Sequence, residues 1–251
     1  MRRRPDAAVA EALAIEDCRW PPALLMVGAR IDADVAMYSR RNGPGRMTVA
    51  LRAMLALAQQ SGDEERVSVA RACLADATTA SGDLPEAIAL GRLALADGRR
   101  QLGAEQGHTL MNLCAATLLS GDEATAPARA LAARALPLLR LNLYAGVLFN
   151  HLSLLAARAG DARLAARLLG HADRWYADNQ SPHRQATEAL LLDQAVLAID
   201  AALGPAERER LRRVGARLTD AEADGLAWPL LGQPLGQPLG QPQEGPGMPP
   251  G

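Results

Sequence analysis

Histidine is the side chain best suited to acid–base and metal chemistry near neutral pH, and this chain has four: His108, His151, His171 and His183. None stands in an H-E-x-x-H or H-x-x-x-H spacing. The 20 residues between His151 and His171 place them on different helices of one hairpin, so the sequence assembles no metal site. Cys18, Cys73 and Cys114 are far apart and form no C-x-x-C pair, and they read as small core residues. The carboxylate pairs Asp32 with Asp34, Glu64 with Glu65 and Glu207 with Glu209 fall at turns or helix starts, where capping and solvation explain them. Acid–base catalysis would need such groups to converge in one pocket. All 27 basic residues are arginine. Without lysine there is no Walker A phosphate loop, no Schiff-base amine and no kinase-type lysine. No G-x-S-x-G nucleophile elbow is present, and no glycine-rich phosphate loop follows a strand. The reading is a non-enzyme without a cofactor; the alternative, a helical enzyme with a buried polar site, requires two ionisable groups of shifted pKa in one cleft.

Binding is the remaining class. The net charge is −1 with both signs mixed along the chain, and only one Phe is present, so neither a phosphate-tracking surface nor a base-stacking platform is expected. Arg210, Arg213 and Arg217 share a helix face but are balanced by Glu207, Glu209 and Asp220, which makes a solvated face. Trp20, Tyr38, Tyr144 and the Trp175-Tyr176 pair serve either as core or as the wall of a groove. Arg99, Tyr144, Asn150, His151 and Trp175 are the binding candidates. Charges interrupt every apolar run before the roughly 20 residues of a membrane span, and the start lacks the apolar segment of a signal peptide. A cytoplasmic protein with no membrane and no nucleic-acid partner is expected.

The elements that position these residues announce themselves by their breaks. Ser61-Gly62-Asp63, Ser81-Gly82-Asp83, Ser120-Gly121-Asp122 and Ala159-Gly160-Asp161 repeat one turn chemistry. Glycine supplies the left-handed residue that closes a helix, and Asp caps the next. Gly82, Gly121 and Gly160 follow one another at 39 residues, and Gly62 precedes Gly82 by about half that. This is the arithmetic of stacked helical hairpins. Between the breaks, residues recur at helical spacing: Ile88, Leu90, Leu93, Ala94, Leu95 and Leu102; Leu110, Leu113, Cys114, Thr117 and Leu118; Leu143, Val147, Leu148, His151, Leu152 and Leu155; Leu164, Leu168, Leu169, Ala172 and Tyr176. Pro127 fits a first turn, whereas Pro137 marks an expected turn between hairpins. A helix from Trp20-Pro21-Pro22 to Tyr38 and another over 46–60 open the array, and 182–203, 205–218 and 219–227 close it, the last with a Thr219-x-x-Glu222 capping box. Proline, glycine and glutamine dominate the repeated Gly-Gln-Pro-Leu tail, which cannot bury a core. The expected chain is all-α: an extension over 1–16, a right-handed solenoid of tetratricopeptide-like hairpins over 17–228, and a disordered tail over 229–251.

The stretch from Ala156 to Tyr176, with Gly160, Ala165-Ala166-Arg167-Leu168 and Gly170-His171-Ala172-Asp173, resembles a helix hairpin near the C-terminus of large bacterial transcriptional regulators. Ala202-Leu-Gly-Pro-Ala-Glu207 and Leu218-Thr-Asp-Ala-Glu222 are similar to the family's ending, and Trp20-Pro-Pro to the start of its array. The resemblance covers about residues 17 to 228. Such regulators join a DNA-binding domain, a STAND-class ATPase and a tetratricopeptide-like array. What the resemblance implies is the sensing array alone, receiving a protein, a peptide or a small-molecule inducer; a stand-alone tetratricopeptide adaptor is the variant of this reading.

Overall fold

The computed structural model describes residues 43–97, 103–179 and 184–232, and it is all-helical there. The helices are α1 (Gly43–Ser61), α2 (Glu64–Ser81), α3 (Leu84–Asp97), α4 (Ala104–Leu119), α5 (Thr125–Leu141), α6 (Ala145–Arg158), α7 (Ala162–Asp178), α8 (Ala186–Leu203), α9 (Pro205–Gly215) and α10 (Asp220–Leu230). The helix expected from Trp20 to Tyr38, the 1–16 extension and most of the tail lie outside the described residues.

The glycine turns form as the sequence requires. Gly62, Gly82, Gly121 and Gly160 all have positive φ, between 68° and 134°. Three of the following aspartates cap: Asp63, Asp83 and Asp161 accept from the backbone N–H of Arg66, Glu86 and Leu164 at 3.0, 3.2 and 2.8 Å. Asp122 does not. A single 3-10 turn (Asp122–Ala124) follows Gly121, and the Asp122 carboxylate instead pairs with Arg158 Nε at 3.1 Å. That guanidinium also donates to the carbonyls of Leu118 and Gly121, satisfying the open C-terminal end of α4 from a later helix.

Two local expectations give way to packing. The chain does not turn at Pro137, which lies inside α5. The helix continues because Leu136 and Leu139, on either side of the proline, are both fully buried, and the turn comes at Asn142–Tyr144, where Leu143 adopts φ 58°. In α3 the larger side chains do not make the buried face. Ala87, Gly91 and Ala94 do, at steps of four and three, while Leu93 is 49% exposed. A Cβ on Gly91 would lie 3.1 Å from Leu113, so small residues set how closely α3 meets α4.

From α1 to α9 each helix packs on the next in sequence, α10 packs on α7, and the even-numbered helices α2 to α8 also pack in turn: α2 on α4, α4 on α6, α6 on α8. The row closes, for α8 touches α2 and α4 as well. The Thr187 hydroxyl at the start of α8 donates to the Asp76 carbonyl of α2 at 3.2 Å, across 111 residues of chain. Residues 145–156 of α6 are buried without exception, so this helix is surrounded on all sides and forms the middle of the array.

The C-terminal half is held by backbone contact and by ion pairs. α7 and α9 cross at two glycines: a Cβ on Gly170 would lie 2.0 Å from the Arg212 carbonyl oxygen, and one on Gly215 1.9 Å from that of Arg167. Beside the crossing, Asp173 accepts from Arg212 and Arg184, both at 2.6 Å, which ties α7 to α9 and to the approach to α8. On α10, Asp220 and Asp224 both meet Arg140 of α5, at 2.7 and 2.5 Å, and Thr219 with Glu222 forms the expected capping box. Gly225, on the same helix, has open space where a Cβ would go. Gly170→Ala and Gly215→Ala should each destabilise by about 1–3 kcal/mol or more, since the obstructing atom is backbone. Gly225→Ala should be neutral or gain up to about 1 kcal/mol through helix propensity. Urea unfolding of the three variants checks this order.

Candidate functional site

Where the even-numbered row closes, a cavity of about 180 Å³ lies between it and α1. α1 contributes Met47 and Leu51; α2 contributes Cys73 and Asp76; α4 contributes His108, Met111, Asn112 and Ala115. Tyr144 and His151 enter from α6 and the turn before it, and Gln185, Thr187 and Glu188 from the start of α8. The wall is therefore apolar over Met47, Leu51, Met111 and Ala115 and polar where α2, α6 and α8 meet.

Three ionisable groups of that lining are Asp76, His151 and Glu188. Glu188 is 6% exposed and His151 2%, while Asp76 is partly buried and borders the cavity. Burial pushes the Asp76 carboxyl above the ordinary range, and its side chain also meets Thr187. Burial pushes Glu188 up as well, and the neighbouring Asp76 charge adds to the rise. Part of Glu188 is committed locally: its Oε2 accepts from Gln185 N–H at 2.9 Å in the capping box that starts α8. Tyr176 stands against the same carboxylate without a well-aligned hydrogen bond, and its phenol is pushed up, first by burial and then by the Glu188 charge.

His151 is the unusual member. Burial depresses its pKa to about 3, so the ring is neutral, with one N–H and one lone pair. Neither ring nitrogen has a hydrogen-bond partner among the described residues. A buried imidazole in that state forgoes on the order of 1–3 kcal/mol. His108, whose pKa is also lowered by burial, packs edge-on against Tyr144 with ring centroids 4.6 Å apart.

The binding candidates divide. Tyr144 and His151 line the cavity. Asn150, fully buried on α6, is a structural bridge: its Nδ2 donates to the Glu188 carbonyl at 2.9 Å and its Oδ1 accepts from Arg184 at 3.2 Å. Trp175 clamps the turn before α6. Its indole N–H donates to the Leu143 carbonyl at 3.1 Å, its ring meets Tyr144 edge-on at 5.2 Å, and it covers Gly146, where a Cβ would lie 1.9 Å from its Cγ. Arg99 lies outside the described residues. Asp76 and Glu188 were not among the candidates, and no local pattern separates them from the solvated carboxylates of other helices.

Among the described residues no three His, Cys, Asp or Glu side chains are grouped to hold a metal ion. No single described helix is long and apolar enough to cross a membrane. Cys114 is buried, its thiol pushed up to about 12 by burial, and donates to the Ala128 carbonyl at 3.4 Å, whereas Cys73 borders the cavity. Compared with protein-family models, curated proteins and solved structures, the chain matches none.

The raised carboxyls fix the sign of one pH effect. A group whose pKa is higher folded than unfolded binds its proton preferentially in the native state, so stability is greatest below the unfolded value and falls as pH rises through the folded one. For Asp76 the lower edge of that window is near 3.8, the ordinary value. Asp76→Asn, which mimics the protonated form, should therefore melt above the parent at pH 7, and the gap should close towards pH 4. Paired melting curves across that range check it; a variant less stable than the parent at pH 7 contradicts the burial cost.

Proposed function

We propose that this chain is a sensing module: a tetratricopeptide-like helical array, non-catalytic, in which a small molecule entering the central cavity sets the packing of α8 against α2. The observation that carries this reading is the cavity's position. It lies where segments far apart in sequence close on each other, and its polar end is lined by groups whose interactions within the described chain leave His151 unpartnered. An occupant that satisfied His151 and neutralised the buried carboxylates would favour the closed arrangement. By mass action, saturation at 100 times Kd stabilises by about 2.7 kcal/mol. The residue likeness over Ala156–Tyr176 and in the closing helices supports the further reading that the output goes to a bacterial transcriptional regulator in the cytoplasm, with a protein as the receiving partner.

One observation favours a second reading. Asp76, Glu188 and His151 meet in one cleft with displaced pKa values, which is what a buried acid–base site needs. Sensing is preferred because Glu188 is already engaged as a helix cap and His151, held neutral, has no hydrogen-bonded nucleophile among the described residues.

A metabolite set screened by thermal shift on the full chain tests both readings, with recovery of each stabilising compound by mass spectrometry. Sensing predicts compounds that raise the melting temperature, lose that effect when the cavity is filled by Asn112→Trp, and return chemically unchanged. Turnover of a stabilising compound establishes the enzyme reading, and stabilisation indifferent to Asn112→Trp overturns the cavity as the site.

A further inference from the structure

We propose that the occupant of the cavity is a small organic cation: a primary ammonium carried on a short apolar chain, held between Asp76 and Glu188 with its carbon end against Met47, Leu51 and Met111. This rests on the reading of the cavity as a ligand site and names the chemistry that the site selects.

The first ground is charge. Two carboxylates border the cavity, and among the described residues no arginine does. The Arg184 charge offsets part of the rise at Glu188, but its guanidinium pairs with Asp173 at 2.6 Å, donates to Asn150 at 3.2 Å, and lies over the Tyr176 ring at 4.3 Å from its centroid. Asp173 itself is shared with Arg212, so Arg184 serves one local network while Asp76 and Glu188 face the cavity. Two like charges in a poorly solvated space disfavour each other, and one added positive charge relieves both the repulsion and the desolvation.

The second ground is independent of charge. His151 is 2% exposed, borders the cavity and has neither ring nitrogen partnered among the described residues. As a neutral imidazole it offers a lone pair. An ammonium has three N–H donors and no acceptor, which matches two carboxylates and one imidazole nitrogen. An anion would meet the charges of Asp76 and Glu188 there. A bare metal ion lacks the three-ligand grouping among the described residues.

The third ground is shape. The lining also includes Met47, Leu51, Met111 and Ala115, an apolar surface that favours an alkyl tail. Methionine at two of these positions adapts to tails of different form.

The test titrates the full chain with three probes of similar size, n-propylammonium, n-propanol and propionate, followed by NMR of the Tyr144 and His151 ring signals. Propylammonium should bind saturably and shift both rings, with propanol and propionate weaker by about tenfold or more, the worth of one charge-assisted hydrogen bond. Asp76→Asn and Glu188→Gln should each cut propylammonium affinity by about tenfold and leave propanol unchanged. Glu188→Gln keeps the helix cap, because glutamine also serves at that position, so it provides a folded variant if Asp76→Asn does not. Equal or tighter binding of propanol or propionate overturns the cation assignment while leaving the cavity as a ligand site. No response to any probe, with metabolites that still lose their effect in Asn112→Trp, overturns the cation assignment alone. No response together with no such metabolite overturns the ligand site as well.

Discussion

The packing of α8 across α2 is the contact on which the site depends. Without it, Asp76 would be one more carboxylate on a helix with access to water, and Glu188 a capping residue at the mouth of α8. The Thr187 bond to the Asp76 carbonyl joins the two helices, and the closure it marks turns a row of helices into a wall around a cavity. Both carboxyls are then pushed upward, chiefly by burial. Burying like charges is unfavourable in any protein, so the remaining packing must supply the stability that this arrangement costs.

That supply is visible around α6. A helix buried over Ala145–Ala156 gains apolar contact from every neighbour, and its polar residues are handled one at a time. Ser153 donates to the Ala165 carbonyl at 2.9 Å and Asn150 is satisfied at both ends, which leaves His151 as the one that faces the cavity unpartnered. On the far side, the glycine crossing of α7 and α9 and the Asp173 pairs fix the approach to α8. The same arginine that orders this approach is held on Asp173 and Asn150, and no arginine among the described residues lines the cavity.

Local chemistry made the all-helical character and most of the turns legible in the sequence. Gly62, Gly82, Gly121 and Gly160 need left-handed backbone, which few other residues tolerate, and the capping aspartates act within three residues. What depended on distant packing was not legible. Pro137 is a strong local breaker overruled by burial on both sides, and α3 docks through Ala87, Gly91 and Ala94 because close approach to α4 outweighs the larger area of its leucines. The site divides in the same way. His151 and Tyr144 stood out by residue type, while Asn150 and Trp175 stood out equally and serve structure. Asp76 and Glu188 sit in alanine- and threonine-rich helical phrases with nothing local to mark them, and only a contact across 111 residues brings them together.

The site depends on two carboxylates that border one cavity and whose burial outweighs the Arg184 charge at Glu188. Carboxyl-labelled Asp and Glu, assigned through Asp76→Asn and Glu188→Gln and titrated by carbon NMR on the unliganded chain, measure this directly. Both groups should titrate above the ordinary values of 3.8 and 4.5, and removing the Asp76 charge should lower the Glu188 midpoint. Midpoints at or below those values, or a Glu188 titration indifferent to Asp76→Asn, would contradict the account.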